Sequence, residues 1–355
     1  MKIFHCDHCG QLVFFENVHC LNCNHTLAYL PDRRDVGTLK LADDGLWRCE
    51  DPQRLAGTYR LCQNYVAANI CNWAVPADDP NPLCRSCRLT RIIPNLSVPG
   101  HHDAWYKLEL AKRRLLCTLL TLGLPLHTKA EHPQGLAFEF LADPDPPDPT
   151  QPPVHTGHAQ GVITVNVAEA DDAERERRRL ALHEPYRTLL GHFRHESAHY
   201  YWDRLIAGSR WLEDFRSQFG DEREDYGAAL QRHYDRGPPG DWPARFVSAY
   251  ASSHAWEDWA ESWAHYLHMA DTLETAAGCG LSLQPRRPNE PRLTARPELA
   301  AGRPGDFDKM IADWFALTYL LNNLNRGLGL PDGYPFVLSS PAIEKLRFVH
   351  RVVRQ

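Results

Sequence analysis

The sequence predicts an α+β protein in which a small cysteine-rich module precedes a larger domain of long helices and a few strands. Three observations predict it. Nine of the eleven cysteines lie before residue 90, several in pairs two residues apart, which is metal-ligand spacing and not a disulfide pattern. Residues 1 to 95 lack any long helical period, whereas apolar residues recur at helical spacing from Asp103 onward. Two short apolar runs, Leu136 to Leu141 and Gly161 to Val167, then interrupt the helical stretches. The boundary falls near residue 96, giving modules 1–95 and 96–355, and 355 residues suffice for a full core plus a smaller unit.

The first module is rich in Cys, Asn and Pro, which suits a unit held by metal and not by a core. Cys6-x2-Cys9 and Cys20-x2-Cys23 make two knuckles separated by ten residues, the arrangement of a zinc ribbon whose four thiolates close a tetrahedral structural site. Cys62, Cys71, Cys84 and Cys87 form a second set, and four cysteines in a core-poor stretch again point to structural zinc. Cys49 is an alternative to Cys62 as the fourth ligand of that set. Cys117 lies on an apolar helix and reads as packing, and Cys279 is left over.

The larger domain opens with DAWYKLELAKRRLLCTLLTLG, a helix with Asp103 as its capping residue and Gly123 as its stop. The two apolar runs flank the proline-rich segment DPDPPDPTQPP, a loop because its prolines lack donors. In GVITVNV, Ile163, Val165 and Val167 alternate with Val162, Thr164 and Asn166, as in a strand with one buried face. The stretch EADDAERERRR reads as a solvated helix face. Helices are expected from Pro185 to Ile206, from about Ser253 to Ala277, from Asp306 to Arg326 and from Pro341 to Val353, with a proline- and arginine-rich loop between Leu283 and Pro304.

Composition narrows the function. A net charge of -6 shows none of the basic excess that a nucleic-acid binder uses to neutralise phosphates. Cysteines sit where a secretory apolar stretch would lie, and the longest apolar run, Leu115 to Leu126, is too short to span a bilayer. A soluble, cytoplasmic chain is expected, with no membrane partner.

The chemistry is carried by GHFRHESAHYYW, in which His195-Glu196-Ser197-Ala198-His199 matches HExxH. Residues four apart share a helix face, so both imidazoles can bind one zinc ion while Glu196 reaches the water on that ion. Zinc lowers such a water's pKa from about 15.7 to about 7, and the carboxylate accepts its proton as it attacks a carbonyl carbon. With 19 histidines in the chain, the motif arises by chance in roughly one such sequence in fifteen. A third ligand must therefore be found. The metzincin pattern fails, because Trp202 and Leu205 stand where it needs Gly and His. The best candidate is AYASSHAWEDWAESWAHYLH, where Glu257 and Glu261 are four apart on a helix otherwise rich in Trp and Ala. A metal for one glutamate and a ligand histidine for the other would compensate both charges. Asp258 points elsewhere and reads as a surface charge; His192, His265 and His268 read as structural, and His155 and His158 as candidates for substrate binding.

With Tyr250 seven residues before Glu257, and Glu261 following, this constellation resembles the gluzincin metallopeptidases, most closely the branch of anthrax lethal factor and the Pro-Pro endopeptidases. The resemblance implies that Glu257 is the third zinc ligand, that Glu261 supports a ligand histidine, and that Tyr250 stabilises the oxyanion. Seven residues are two helical turns, so Tyr250 shares the Glu257 face if the helix extends back that far. The chain as a whole also resembles a bacterial family of zinc-binding metallopeptidases with an N-terminal zinc-ribbon region. The stretches that carry this are CNW at Cys71–Trp73, CRSCRL at Cys84–Leu89, EPYRTLLGHFRHE at Glu184–Glu196 and LPDGYPFVL at Leu330–Leu338. Ser197-Ala198 departs from the glycine that often precedes the second histidine, without touching the ligands.

The expectation is thus a zincin-like metallopeptidase domain behind a zinc-ribbon module, holding one catalytic and two structural zinc ions. It would cleave a peptide or protein bound along an edge strand such as Gly161 to Val167. The ribbon would serve as a site for a protein partner. Two other readings share these residues: an inactive zinc-stabilised scaffold, against which the retained Glu196 argues, and an amidase acting on isopeptide or non-protein amides.

Overall fold

A computed structural model of the protein describes residues 2–144, 150, 152–181, 187–284, 293–297 and 306–354. The chain divides into two compact units, Met1–Glu176 and Arg177–Gln355. The strands belong to the first and the metal-ligand motif to the second.

In the first unit, β1 (Phe4–His5) and β2 (Leu12–Val13) pair as the first cysteine knuckle. Next come β3 (Thr26–Leu30), β4 (Asp35–Leu41), β5 (Trp47–Cys49) and β6 (Thr58–Leu61), the short α1 (Gln63–Val66) and β7 (Ala74–Pro76). The five strands β3 to β7 form an antiparallel meander in chain order. Inside it, Ala28, Leu30, Leu39, Leu55, Tyr59 and Ala74 bury together. This corrects the expectation of a module without a core. The short strands hide their alternation among Asp, Gly and Arg, so no window carried a long apolar signal.

The second sheet has the order β10-β11-β9-β8, formed by β8 (Thr90–Ile92), β9 (Ala137–Leu141), β10 (Gly157–Ala159) and β11 (Val162–Asn166). Strand β9 runs parallel to β8 and β11, and β10 pairs antiparallel with β11. The expected edge strand is therefore interior. Gln160 and Gly161, at φ 49° and 79°, make a two-residue hairpin turn that folds β10 back over the free side of β11, the geometry favoured by the right-handed strand twist. The predicted buried face is present, with Ile163 and Val165 essentially inaccessible.

Between β8 and β9 runs α2 (His101–Thr121), which begins two residues before the expected cap because Gly100, at φ 85°, turns the chain into the helix. Asp103 sits in its first turn instead. Its core face also buries Glu109 and Lys112, paired at 2.8 Å and both fully inaccessible. The charged α3 (Asp172–Ala181) carries a largely exposed polar face.

The second unit is helical among the described residues: α4 (Leu189–Leu205), α5 (Leu212–Phe219), α6 (Tyr226–Arg236), α7 (Trp242–Arg245), α8 (Ala255–Gly278), α9 (Phe307–Gly327) and α10 (Ser340–Val353). Thr188 caps α4 by accepting from the Gly191 N–H at 3.0 Å. The expected start at Pro185 lies outside the described residues, as do 145–149, 285–292 and 298–305 of the two proline-rich loops.

Helices α4 and α8 pack directly on each other. Trp259 and Trp263 of α8 are fully buried, and replacing either with Ala should cost about 3–5 kcal/mol. Their indole N–H groups donate to the Ala198 carbonyl at 2.8 Å and the Ser197 hydroxyl at 3.3 Å. The middle of the HESAH motif is thus anchored to α8 by the same residues that make the core.

Candidate metal centre

Helix α4 presents His195 and His199 one turn apart, and Glu257 stands in the first turn of α8. Their ligand atoms all lie within 4.8 Å of one another. Nε2 of His195 is 2.9 Å from Glu257 Oε2, and Nε2 of His199 is 3.6 Å from Oε1. Donors bound tetrahedrally to one zinc ion would stand about 3.3 Å apart; each imidazole stands within about 0.4 Å of that distance from the carboxylate, but from a different one of its two oxygens. Two imidazoles sharing such an ion would place their ring centroids about 5.2 Å apart, and the His195 and His199 rings are 5.3 Å apart. Oε2 of Glu257 is buried with no aligned hydrogen-bond donor among the described residues. A buried carboxylate oxygen in that position fits a cation.

The electrostatics differ among the three residues. Burial would lower His195, but Glu257 and Glu261 outweigh it and hold the imidazole well above its ordinary range, so a metal bound there must displace a proton. Burial would raise the Glu257 carboxyl, but His199, His195 and the Tyr226 phenol outweigh it and hold it at about 2. Burial lowers His199 to about 4, leaving a neutral imidazole able to ligate. Glu196 is half-exposed and has no hydrogen bond among the described residues. Burial raises its carboxyl to about 7, which brings it into the range of a general base.

A second layer orients the first. Nδ1 of His195 donates to Glu261 Oε1 at 2.8 Å, which turns Nε2 toward Glu257. Ser248 in turn donates to Glu261 Oε2 at 2.6 Å and accepts from the Ala251 N–H at 3.1 Å. It thereby ties Glu261 to the 3₁₀ turn Tyr250–Ser252. That turn, not α8, carries Tyr250, because His254 caps α8 by accepting from the Trp256 N–H at 3.1 Å. The Tyr250 ring lies 5.9 Å from the His195 ring, and its hydroxyl has no hydrogen bond among the described residues.

Sequence reasoning missed Tyr226 and Ser248. Tyr226 donates to Glu257 Oε1 at 2.8 Å. Neither residue belongs to a spaced motif, and Tyr226 comes from a helix whose position next to α8 only the fold sets.

The cysteines gather as two sets of four. Sγ separations are 3.6 Å for Cys6–Cys23 and Cys9–Cys20 and 3.7 Å for Cys71–Cys84. Tetrahedral zinc with thiolates at about 2.3 Å requires about 3.8 Å, and a disulfide about 2.05 Å. Backbone N–H groups of Trp73, Cys84 and Cys87 point at Cys71, Cys62 and Cys84 sulfurs at 3.4, 3.2 and 3.4 Å, the donors a thiolate needs. Cys62 takes the fourth place, while Cys49 packs in the meander core, where burial raises its thiol to about 11. His8, His25 and Glu50 also cluster, but the two rings stack with centroids 3.9 Å apart, too close for imidazoles sharing an ion.

The family described as "Putative zinc-binding metallo-peptidase" matches residues 101–352. The chain belongs to this family. A zinc-ribbon domain matches residues 3–98, so the N-terminal cysteine region is of zinc-ribbon type. Uncharacterized proteins of Mycobacterium bovis and of two strains of Mycobacterium tuberculosis are 43% identical over 355 residues, covering 99% of this chain and 95% of theirs. No solved structure matches. No helix among the described residues is long and apolar enough to cross a membrane.

In this member of the family the remaining candidates lie apart from the His195–His199–Glu257 group. Asp258 is buried, not a surface charge, and pairs with Lys345 at 2.5 Å; the narrow turn of α8 leaves it between α8 and α10, where a lysine compensates it. His265 bonds the Tyr334 hydroxyl at 2.7 Å, and His268 meets Arg194. His192 lies one turn before His195 and joins no ligand group. Nε2 of His158 accepts from the Gly161 N–H at 2.9 Å and so shapes the β10–β11 turn; His155 joins no metal-ligand group.

Proposed function

We propose that the protein hydrolyses peptide bonds, with His195, His199 and Glu257 holding a catalytic zinc ion and Glu196 acting as general base. The observation that carries this is the convergence of one donor atom each from His195, His199 and Glu257, all within 4.8 Å of one another, beside a partly buried carboxylate that has no hydrogen bond among the described residues. Zinc held there would act as a Lewis acid, polarising the scissile carbonyl and making an attacking water acidic near neutral pH.

The chain's own residues do the rest. Glu196 takes the proton from the attacking water and can return it to the leaving amine. Glu261 keeps His195 in the tautomer that offers Nε2. Tyr250, with its hydroxyl uncommitted, donates to the carbonyl oxygen as negative charge develops on it. The same roles follow from the resemblance to the lethal factor and Pro-Pro endopeptidase branch of the gluzincins. Cys6, Cys9, Cys20 and Cys23, and Cys62, Cys71, Cys84 and Cys87, would hold one structural zinc ion each. The expected substrate is a peptide or protein.

A proteome-derived peptide library, incubated with wild type and with Glu196→Gln and read by mass spectrometry, tests the reading. Cleavage products confined to wild type are expected. Identical product sets from both proteins, or none from zinc-loaded wild type, would reject it.

A further inference from the structure

We propose that Tyr226 is a positioning residue of this centre, holding the Glu257 carboxylate so that one oxygen, Oε2, is presented to the metal. This rests on the reading of Glu257 as a ligand. Tyr226 opens α6, whose first turn is capped by Asp225 accepting from the Ala228 N–H at 2.9 Å. Its ring packs edge-on to His254 at 5.2 Å and lies 5.9 Å from Trp256. From that seat the hydroxyl donates to Oε1 of Glu257 at 2.8 Å. The seat is itself fixed to α8: His254 caps that helix, and its Nε2 bonds the Glu224 carbonyl at 3.2 Å, just before α6.

A carboxylate with both oxygens free can bind a metal through both and so fill the position that water or substrate must take. A phenol donating to Oε1 engages one of its lone pairs and draws charge from it, which leaves Oε2 the stronger donor. Oε1, which takes the phenol, is the oxygen nearest His199 at 3.6 Å, whereas Oε2 lies 2.9 Å from His195 and has no aligned donor among the described residues. The two tyrosines therefore divide the work. The Tyr226 hydroxyl is committed to Glu257, whereas that of Tyr250 has no hydrogen bond among the described residues.

The test uses the full chain and Tyr226→Phe, which keeps the ring. Zinc affinity of the catalytic site is measured by competition with a chromophoric chelator, and the Co²⁺-substituted protein is read by visible absorption. Affinity should fall roughly 10- to 100-fold, the range for lost partners of metal ligands. The Co²⁺ bands should weaken, because a second carboxylate oxygen raises the coordination number. Incorporating p-aminophenylalanine at position 226 restores a donor and should recover part of the affinity. Affinity and spectrum within twofold of wild type, or no recovery by the amino variant, overturn the proposal. Glu257→Gln separates the two levels: unchanged zinc affinity there removes Glu257 as a ligand, whatever Tyr226→Phe does.

Discussion

The cysteine sets of the N-terminal unit and the imidazole–carboxylate set of the C-terminal unit both gather candidate metal donors within 4.8 Å of one another, yet they differ in how many donors they gather. Cys62, Cys71, Cys84 and Cys87 supply all four corners, are nearly inaccessible, and have backbone N–H groups aimed at their sulfurs. His195, His199 and Glu257 would supply three corners on the proposed reading; the two imidazoles remain partly exposed, beside a carboxylate with no hydrogen bond among the described residues. If the proposed function holds, one element serves two ends here. Four buried donors leave no room for water and fit a folding role, whereas three donors and an unengaged base leave a position for chemistry.

The largest effect that could break this contrast lies on the closed side. Cys84→Ser should remove one zinc ion and unfold the N-terminal unit, since metal binding at such sites contributes about 10–16 kcal/mol to folding. Elemental analysis with near-ultraviolet circular dichroism reads both. A folded variant with full zinc content would mean that the second cysteine set is ordinary core.

On the open side, Glu196→Gln should lower kcat by about 10²- to 10⁴-fold while keeping zinc. Loss of zinc in that variant would place Glu196 among the ligands instead. Timed chelation sharpens the same point. Of three zinc ions per chain, one should leave quickly with activity and two slowly with the fold, and release of all three at one rate would erase the distinction.

A smaller effect compares two neighbours on α8. Glu257 is compensated by His199, His195 and the Tyr226 phenol, and Asp258 by Lys345, whose ammonium also donates to the Arg245 carbonyl at 3.0 Å. Lys345→Met leaves Asp258 buried alone and should cost about 3–5 kcal/mol in denaturant unfolding, with Asp258→Asn in the same chain restoring most of it. If the single variant is as stable as wild type, Asp258, which burial already raises to about 7, takes up a proton once its lysine is gone. The smallest effect is Ser248→Ala, worth about 0.5–1.5 kcal/mol. It should lower kcat no more than about tenfold without changing zinc content, and a null result would confine Ser248 to the turn it caps.

The groups that the structure brings together as candidate ligand sets were legible in the sequence because most of their members are carried by spacing. HExxH and CxxC place donors within a turn or a knuckle, where backbone geometry alone decides their distance. Glu257 and Glu261 were legible because two carboxylates on a Trp- and Ala-rich helix need compensation. What spacing could not supply were partners set by packing. Ser248 and Tyr226 reach the site across 13 and 31 residues from the glutamates they bond, and only the docking of α6 and of the turn before α8 puts them there. Asp258 and Glu257 are chain neighbours, yet helix geometry turns one toward α10 and the other toward α4.

The same division holds for the fold. Periodicity marked α2, α4, α8, α9 and α10 because each is a long helix with one apolar face. It missed the meander of β3 to β7 and the interior place of β11, since strands of three to seven residues carry too few alternations to stand out, and neighbour order in a sheet depends on which turns close. Sequence by itself determined the local chemistry: which donors exist, and which lie within one turn of each other. Tertiary structure alone decided which of them are buried, which are compensated, and which is left free to take a proton, because those properties belong to surfaces that distant segments make together.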